Sequence, residues 1–167
     1  LCGRCSLWHV RGSATGFVVN RNGLVVTNHH VVDGDAVRTI ALKTGRVLRV
    51  TEVIRSDPQT DLALIRVDIG DTPLPAALPV APKAAIGTPV AAIHHPDGAM
   101  WTLTTGVISR FAEVNARGGA IERMQISAPY ARGSSGGPIL DSRGAVVGVV
   151  IATRSTYYEQ EEQRNLQ

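Results

Sequence analysis

Long apolar runs, cysteine and aromatic residues are all scarce in this sequence of 167 residues. No run approaches the roughly 18 apolar residues that a membrane-spanning helix needs, so we expect no membrane span. The two cysteines, Cys2 and Cys5, allow at most one disulfide, and the residues leave open whether they are bonded, free or bound to metal. Because a closed zinc site needs four ligands, no metal site is predicted.

Basic residues are neither abundant nor clustered. The formal net charge is +3, and lysine and arginine are spread along the whole chain. A nucleic-acid-binding surface typically concentrates positive charge in one patch, with aromatic residues interleaved when single strands are bound. We therefore expect no nucleic-acid partner.

The residues that are plentiful favour an all-β fold. Valine and isoleucine prefer strands, and 17 glycines with nine prolines suit many short strands joined by tight turns. Asn22-Gly23 and Lys43-Thr44-Gly45 predict two hairpins. The apolar segments predict strands at Ser6–Val10, Gly16–Asn20, Leu24–Thr27, Val37–Leu42, Val47–Ile54, Leu62–Val67, Pro89–Ile93, Met100–Phe111, Ile121–Ser127, Gly137–Leu140 and Ala145–Ala152.

The strands divide into two halves of one domain. Residues 73–83 are rich in proline and alanine, which suits an extended connector. Residues 1–72 and 84–167 then form an N-terminal and a C-terminal β-structure. Little helix is expected: one turn within His30–Asp35 and a terminal helix over Ser155–Leu166.

A serine in a glycine-flanked turn is the strongest functional signal. The run from Ala131 to Pro138 reads Ala-Arg-Gly-Ser-Ser-Gly-Gly-Pro. Glycines permit backbone angles that bring several N–H groups to one point, where they can stabilise an oxyanion. Ser135 is preferred over Ser134 as nucleophile because a tight turn into an apolar strand follows it directly. Taken alone, the same run also fits an ordinary flexible loop.

A serine nucleophile needs a base, and a histidine base needs an orienting acid. His29 and His30 both follow the strand Leu24–Thr27, and we choose His30 because it adjoins the apolar pair Val31-Val32. His94 and His95 form a second pair before Pro96, and they are expected to lie in a loop.

Asp61 is the preferred acid because it leads directly into the apolar strand Leu62–Val67, which would place its carboxylate in a buried setting. Asp57 precedes Pro58 and indicates a turn instead. Asp33 and Asp35 flank Gly34 and are expected to face solvent.

Assembled in order, these segments resemble the trypsin-like serine proteases, most closely the bacterial HtrA/Deg type. The resemblance covers about residues 6–153. It rests on Gly16-Phe17-Val18-Val19, on Val26-Thr27-Asn28-His29-His30-Val31-Val32, on Asp61-Leu62-Ala63-Leu64-Ile65, on Gly106-Val107-Ile108-Ser109 and on Arg132-Gly133-Ser134-Ser135-Gly136-Gly137-Pro138.

The resemblance implies two antiparallel six-stranded β-barrels with the active site in the cleft between them. It implies a catalytic triad of His30, Asp61 and Ser135, with an oxyanion hole formed by Gly133, Ser134 and Ser135. The implied activity is a serine endopeptidase that cleaves peptides or unfolded proteins through an acyl-enzyme, without metal or organic cofactor.

The family's specificity pocket would be walled by two segments of the second half. One is Pro129, Tyr130, Ala131 and Arg132, and the other is the strand of Ile151, Ala152 and Thr153, which would also pair with substrate backbone. No acidic residue lies in these segments, so we expect a small or medium apolar residue before the cut bond instead of arginine or lysine.

The sequence also departs from the family pattern. Serine stands at position 134, where the family commonly has asparagine or aspartate, and histidine stands at 94 or 95, where glycine is usual. After Thr153 no apolar strand and helix of the implied kind is evident, and no PDZ domain is expected. The resemblance favours an extracytoplasmic compartment and allows a homo-oligomer. A binding or scaffold protein that keeps the fold without turnover is the alternative function.

Overall fold

Antiparallel strands dominate the structure. A computed structural model describes residues 12–34, 36–96, 99–116 and 118–151. These ranges contain one short helix, α1 (His29–Val32), and ten strands: β1 (Phe17–Asn20), β2 (Leu24–Thr27), β3 (Thr39–Ala41), β4 (Val47–Asp57), β5 (Leu62–Val67), β6 (Pro89–His94), β7 (Thr102–Ala116), β8 (Gly119–Ile126), β9 (Pro138–Leu140) and β10 (Val146–Val149).

The strands form two sheets, one from each half of the chain. Their orders are β1-β2-β5-β4-β3 and β10-β9-β6-β7-β8, and every pairing of neighbours is antiparallel. The all-β, two-sheet expectation is confirmed. The expected count of six strands per barrel differs from the five that each sheet shows within the described ranges, and residues 1–11 and 152–167 lie outside them.

The turn at Gly23 shows why glycine is needed in the first hairpin. Gly23 has a φ of 96°, and a Cβ added there would lie 2.8 Å from the carbonyl oxygen of Val67. Its own carbonyl accepts a hydrogen bond from the Val67 N–H. The Asn-Gly signal therefore marks a turn that is also packed against the end of β5, where a side chain would be strained and obstructed.

Three apolar clusters hold the sheets together. The first lies within the first sheet and includes Val25, Ile65 and the fully buried Leu74. The second lies within the second sheet around Ile108 and Ile139. The third joins both halves, with buried members Phe17, Leu140 and Val146 and partly buried members Val19, Val26, Leu78, Ile93 and Val149. This shared cluster makes the two halves pack as one unit.

The segment between β5 and β6 is extended and bonded to both sheets. The N–H of Leu78 donates to the carbonyl of Val18, while Ala81 and Val146 are joined by an N–H···O bond from Ala81. Val80 forms an isolated parallel bridge with Val146. The proline-rich run is therefore hydrogen-bonded to both halves of the chain.

Most predicted strands occur within a few residues of their expected bounds. β2 and β5 match their predictions, and the single turn after the histidine pair is α1. β4 and β7 run beyond their predicted ends because long hairpin partners continue their hydrogen bonding. The predicted strand at residues 6–10, the terminal helix at 155–166 and both cysteines lie outside the described residues. Within the described part, no helix is long and apolar enough to cross a membrane.

Candidate active site

Antiparallel pairing of β2 with β5 brings the predicted base and acid together. Thr27 at the end of β2 pairs with Ala63 near the start of β5. Residues that follow β2 and residues that precede β5 must therefore meet at the same edge of the sheet. His30 lies three residues after Thr27, and Asp61 lies two residues before Ala63, so the fold itself places them side by side.

The carboxylate of Asp61 contacts His30 at two points. Its Oδ2 lies 2.7 Å from the ring Nδ1, and its Oδ1 accepts a 2.9 Å hydrogen bond from the His30 backbone N–H. The Asp61 side chain is 17% exposed and that of His30 is 50% exposed. The acid is thus sheltered while the imidazole reaches solvent, where a substrate could approach.

Asp61 adopts a left-handed backbone conformation with a φ of 57°. Its carbonyl oxygen accepts hydrogen bonds from the His29 N–H at 3.2 Å and from the Asn28 side-chain Nδ2 at 2.9 Å. These bonds stabilise a conformation that costs a non-glycine residue free energy. Asn28 was not predicted to matter. It is fully buried, and within the described residues its Oδ1 has no hydrogen-bond partner.

The structure separates His30 from the competing histidine. The His29 Nδ1 lies 2.6 Å from the Ser56 hydroxyl and is directed away from Asp61. Asp57 accepts hydrogen bonds from the Gln59 N–H and the Thr60 hydroxyl, so it forms the predicted turn, and these bonds lower its pKa. Asp33 is exposed, and Asp35 lies outside the described residues.

An arginine of the second sheet also supports the Asp61 turn. Arg123 lies on β8, and its guanidinium donates to the carbonyls of Thr60 at 2.8 Å and Gln59 at 3.0 Å. These two residues directly precede Asp61. The long β7–β8 hairpin therefore contacts the loop that carries the acid, a relationship that the sequence did not reveal because the partners are more than 60 residues apart.

The serine turn is held between both halves of the chain. It directly precedes β9, and β9 pairs with β6 on one side and β10 on the other. The Thr15 N–H donates to the Ser135 carbonyl at 2.7 Å, and the Thr15 hydroxyl donates to the Gly133 carbonyl at 2.9 Å. The Thr15 carbonyl in turn accepts from the Thr27 hydroxyl at 2.8 Å. Thr15 thus links the serine turn to the end of β2, from which His30 follows.

Gly136 makes this close approach feasible. Its φ is 85°, and a Cβ there would lie 2.0 Å from the Thr15 carbonyl oxygen and 2.6 Å from the Thr27 hydroxyl. No larger residue fits without moving backbone. Glycine at this position is required both by its φ and by the packing of the two halves.

The backbone N–H groups of the serine turn differ in their hydrogen bonding. Gly133 has a φ of 93°, and within the described residues the N–H groups of Gly133 and Ser135 donate to no protein acceptor. The Ser134 N–H, in contrast, donates to the Ala131 carbonyl at 3.1 Å. The amide of Ser134, the residue between the two predicted donors, is therefore already bonded inside the turn.

Ser135 Oγ is not hydrogen-bonded to His30 in this structure, nor to any other side chain among the described residues. The structure therefore joins two of the three predicted triad residues directly, and Thr15 links the backbone of the third to the end of β2. Bonds between nucleophile and base are often long without substrate and tighten when it binds.

The second histidine pair differs from its prediction. His94 does not lie in a loop: it is the last residue of β6, pairs with Thr102 and is 1% exposed. Its Nδ1 lies 2.7 Å from the Ser134 Oγ. His95 follows the strand, accepts a hydrogen bond from the Trp101 N–H and contacts the Trp101 ring edge to face. A strand that ends at Ile93 was predicted, and one more residue of pairing buries His94.

The structure describes only part of the predicted wall of the specificity pocket. Pro129 and Arg132 are exposed, Ala131 is half-buried, and Tyr130 packs against the second apolar cluster. Burial raises the pKa of the Tyr130 hydroxyl. Ile151 is half-buried and follows β10, whereas Ala152 and Thr153 lie outside the described residues.

No metal centre emerges from the described ranges. They contain no group of three or more histidine, cysteine, aspartate or glutamate side chains arranged to hold an ion.

Comparison with known proteins connects this geometry to a family. The family model described as trypsin-like peptidase domain matches residues 14–149. HhoA from Synechocystis sp., which is named as a serine protease, is 34% identical over 155 residues, covering 87% of this chain and 38% of that protein. A Brucella suis protein named as a DegP-like periplasmic serine endoprotease is 37% identical over 140 residues, covering 81% and 26% respectively.

A solved structure supports the same relationship in three dimensions. The HtrA-type protease AlgW with a decapeptide superposes with a TM-score of 0.74 at 29% identity, covering 86% of this chain and 44% of that one. The chain therefore spans less than half the length of the relatives it matches.

Proposed function

The chain belongs to the trypsin-like peptidase domain family, and from that premise we propose that it is a serine endopeptidase which forms an acyl-enzyme on Ser135. The observation that carries the proposal is the two-point contact of Asp61 with His30. An acid that binds both the ring and the backbone of one histidine fixes the imidazole in a single orientation. Such fixation is what a histidine base requires of its carboxylate partner.

The roles of the triad follow from the hydrogen bonds. With Nδ1–H donated to Asp61 Oδ2, the other ring nitrogen, Nε2, keeps its lone pair free. Nε2 would take the proton of Ser135 as Oγ attacks the peptide carbonyl carbon. Asp61 stabilises the imidazolium that forms and remains ionised throughout.

The amides of Gly133 and Ser135, which donate to no acceptor among the described residues, are the proposed oxyanion donors. Oγ attack converts the carbonyl into a tetrahedral oxyanion, which these two N–H groups would stabilise. Losing one such donor typically costs about 3 kcal/mol of transition-state stabilisation. His30 then gives its proton to the leaving amine as the C–N bond breaks, which leaves the acyl group on Oγ.

Hydrolysis repeats the sequence with water. His30 would take a proton from water as its oxygen attacks the ester carbon, and would return it to Ser135 Oγ when the ester bond breaks. The products are a carboxylic acid and the restored hydroxyl. Every proton in the cycle is carried by His30, which agrees with its exposed ring.

The proposed substrates are peptide segments in extended conformation. Residues 129–132 and the segment that begins at Ile151 would flank the side chain before the cut bond. No acidic residue lies in these segments, and we propose a small or medium apolar residue there. A peptide-library cleavage profile dominated by arginine or lysine at that position would overturn this preference.

The proposed setting is outside the cytoplasm, as an enzyme on peptides or unfolded proteins. This rests on relatives that are named as periplasmic endoproteases. Fractionating cells of the native organism and locating the protein with an antibody would test the compartment, and recovery in the cytoplasmic fraction alone would overturn the proposed setting.

Active-site labelling decides between turnover and the non-catalytic alternative. A fluorophosphonate should label the wild-type protein stoichiometrically, and Ser135→Ala should abolish both labelling and peptide cleavage. Ser142→Ala, in the exposed turn between β9 and β10, is the matched control and should leave both intact. A folded wild-type protein that neither labels nor cleaves, even with peptide added, would favour a binding or scaffold role.

A further inference from the structure

A buried polar chain starts at the residue between the two proposed oxyanion donors. Ser134 is fully buried, and its Oγ accepts a hydrogen bond from the Ala131 N–H at 3.2 Å and lies 2.7 Å from His94 Nδ1. The Nε2 of His94 lies 3.0 Å from the Thr104 hydroxyl. Three side chains therefore connect the serine turn to the middle of the second sheet.

Strand pairing explains how the chain forms. β6 pairs with β9, so the end of β6 and the residues before β9 share one sheet edge. Thr104 lies on β7, two residues from the Thr102 that pairs with His94, and so faces the same side of the sheet. Gly137 allows the turn to lie close to the end of β6, because a Cβ there would lie 2.8 Å from the Ile93 carbonyl oxygen and 3.2 Å from the His94 Cβ.

The imidazole is suited to join two hydroxyl groups. Burial lowers the pKa of His94, with a smaller contribution from neighbouring His95, which favours the neutral ring. A neutral imidazole has one donor and one acceptor nitrogen, and a hydroxyl can serve either. Both ring nitrogens therefore have a hydrogen-bond partner in either tautomer. Among the described residues, none of the three side chains has a buried polar atom without a partner.

We propose that His94 is a positioning residue for the oxyanion turn, acting through its hydrogen bond to Ser134. This inference deepens the proposed function and rests on it. Hydrogen bonds that hold the Ser134 Oγ restrain the Ser134 Cα, which joins the peptide units on both sides. One of these units carries the Ser135 N–H, and the other leads back to Gly133. His94 also bonds to β7, and it therefore anchors the turn to a strand that continuous pairing keeps in place.

The proposal differs from a purely stabilising role in its effect on kinetics. If His94 only stabilises the fold, its substitution changes the unfolding midpoint while the folded molecules keep their turnover. If it orients the amides, the loss falls on the transition state and lowers kcat at nearly constant KM. Small displacements of catalytic groups can reduce rates about 100-fold.

Two amide substitutions at His94 distinguish its two ring nitrogens. The amide nitrogen of asparagine occupies a position close to Nδ1, whereas that of glutamine lies close to Nε2. His94→Asn should keep the bond to Ser134 and retain kcat within about threefold, while His94→Gln should lose it and reduce kcat about 10- to 100-fold. His95→Asn is the matched control, because His95 contacts Trp101 and not the serine turn.

A double-mutant cycle tests whether Ser134 transmits the effect. His94→Gln and Ser134→Ala should each lower kcat, and the double variant should lose little more than the larger single loss. Equal kcat for His94→Asn and His94→Gln, or fully additive losses in the cycle, would overturn the proposal. Either result leaves the endopeptidase function itself intact, because wild-type turnover tests that separately.

If the wild-type protein is inactive, a crystal structure can test the positioning role of His94 instead. In a crystal structure of His94→Gln, the peptide units on either side of Ser134 should be rotated relative to the wild-type structure. An unchanged turn in that variant would overturn the positioning role whether or not the protein cleaves peptides. A rotated turn in a protein without activity would support the role of His94 and refute the proposed function.

Discussion

Asp61 accepts two hydrogen bonds from one residue, His30: a backbone N–H bond of 2.9 Å and a ring Nδ1 contact of 2.7 Å. The contact requires the left-handed backbone of Asp61, which turns its carboxylate back toward the start of α1. The backbone bond fixes the carboxylate, and the fixed carboxylate then orients the ring.

Exchanging this carboxylate for an amide should remove catalysis while preserving the fold. We expect Asp61→Asn to lower kcat about 10⁴-fold, the scale of such an exchange in a triad, because the amide N–H₂ favours the wrong imidazole tautomer. Steady-state cleavage of a fluorogenic peptide measures the effect. Asp68→Asn is the control, at an exposed carboxylate that accepts a hydrogen bond from the Gly70 N–H. A loss below about tenfold for Asp61→Asn would contradict the assigned role.

The close packing at Gly136 predicts a large loss of stability on substitution. Gly136→Ala and Gly144→Ala both place a side chain at positive φ, which costs about 1–2 kcal/mol. Only at Gly136 does the new Cβ also collide with the Thr15 carbonyl, at 2.0 Å, while Gly144 faces open space. We expect Gly136→Ala to lose at least about 4 kcal/mol or fail to fold. Urea unfolding of both variants tests this, and equal losses would refute the packing argument.

Burial of the second histidine pair predicts a pH-dependent stability. Burial lowers the pKa of both His94 and His95. In the unfolded chain these groups protonate near pH 6.5, so below that pH the unfolded state binds more protons than the folded state. The free energy of unfolding should therefore be fully retained above about pH 6.5. It should fall as the pH drops from there toward the lowered pKa values of the two histidines in the folded state.

The unfolding free energy of wild type and His94→Asn, measured in urea at pH 7, 6 and 5, checks this expectation. Groups common to both proteins contribute equally, so the variant should show the shallower decline. An identical decline in the two proteins would show that His94 has the same proton affinity in the folded and unfolded states.

The Arg123 contact predicts that the β7–β8 hairpin supports the Asp61 turn. Arg123→Ala removes two hydrogen bonds to backbone carbonyls. A hydrogen bond to a charged group typically contributes about 1.5–3 kcal/mol to stability. Hydrogen exchange should show faster opening of the backbone around residues 59–61. Arg110→Ala should leave that exchange unchanged, because the exposed Arg110 guanidinium bonds to Gln125 across the same hairpin. Equal hydrogen-exchange protection of residues 59–61 in the two variants would show that the hairpin does not support the Asp61 turn.

Local chemistry accounts for the elements that sequence reasoning predicted well. Asn22-Gly23 predicted its turn because the required φ favours glycine, and β2 and β5 were predicted because apolar residues alternate or run together there. His30 and Asp61 were chosen from their positions at the ends of these strands. The structure brings these two residues together because the paired antiparallel strands place their ends side by side.

Longer-range relationships were not predictable in the same way. His94 and Ser134 are 40 residues apart, and Arg123 is more than 60 residues from the carbonyls it contacts. No periodicity in the sequence encodes which strand pairs with which or in what register. The burial of His94 depends on one additional residue of β6 pairing with β7, and the extended ends of β4 and β7 likewise depend on their partners.

By itself, the sequence determined that the chain forms strands and where several of them turn. It also led to the prediction of three residues as nucleophile, base and acid. Strand propensity, positive φ and side-chain reactivity are properties of single residues and their immediate neighbours. The tertiary structure alone decided that Asp61 contacts His30 twice, that Thr15 joins the serine turn to the first sheet and that Ser134 bonds to His94. Those contacts depend on strand order and register, which arise only when distant segments pack against one another.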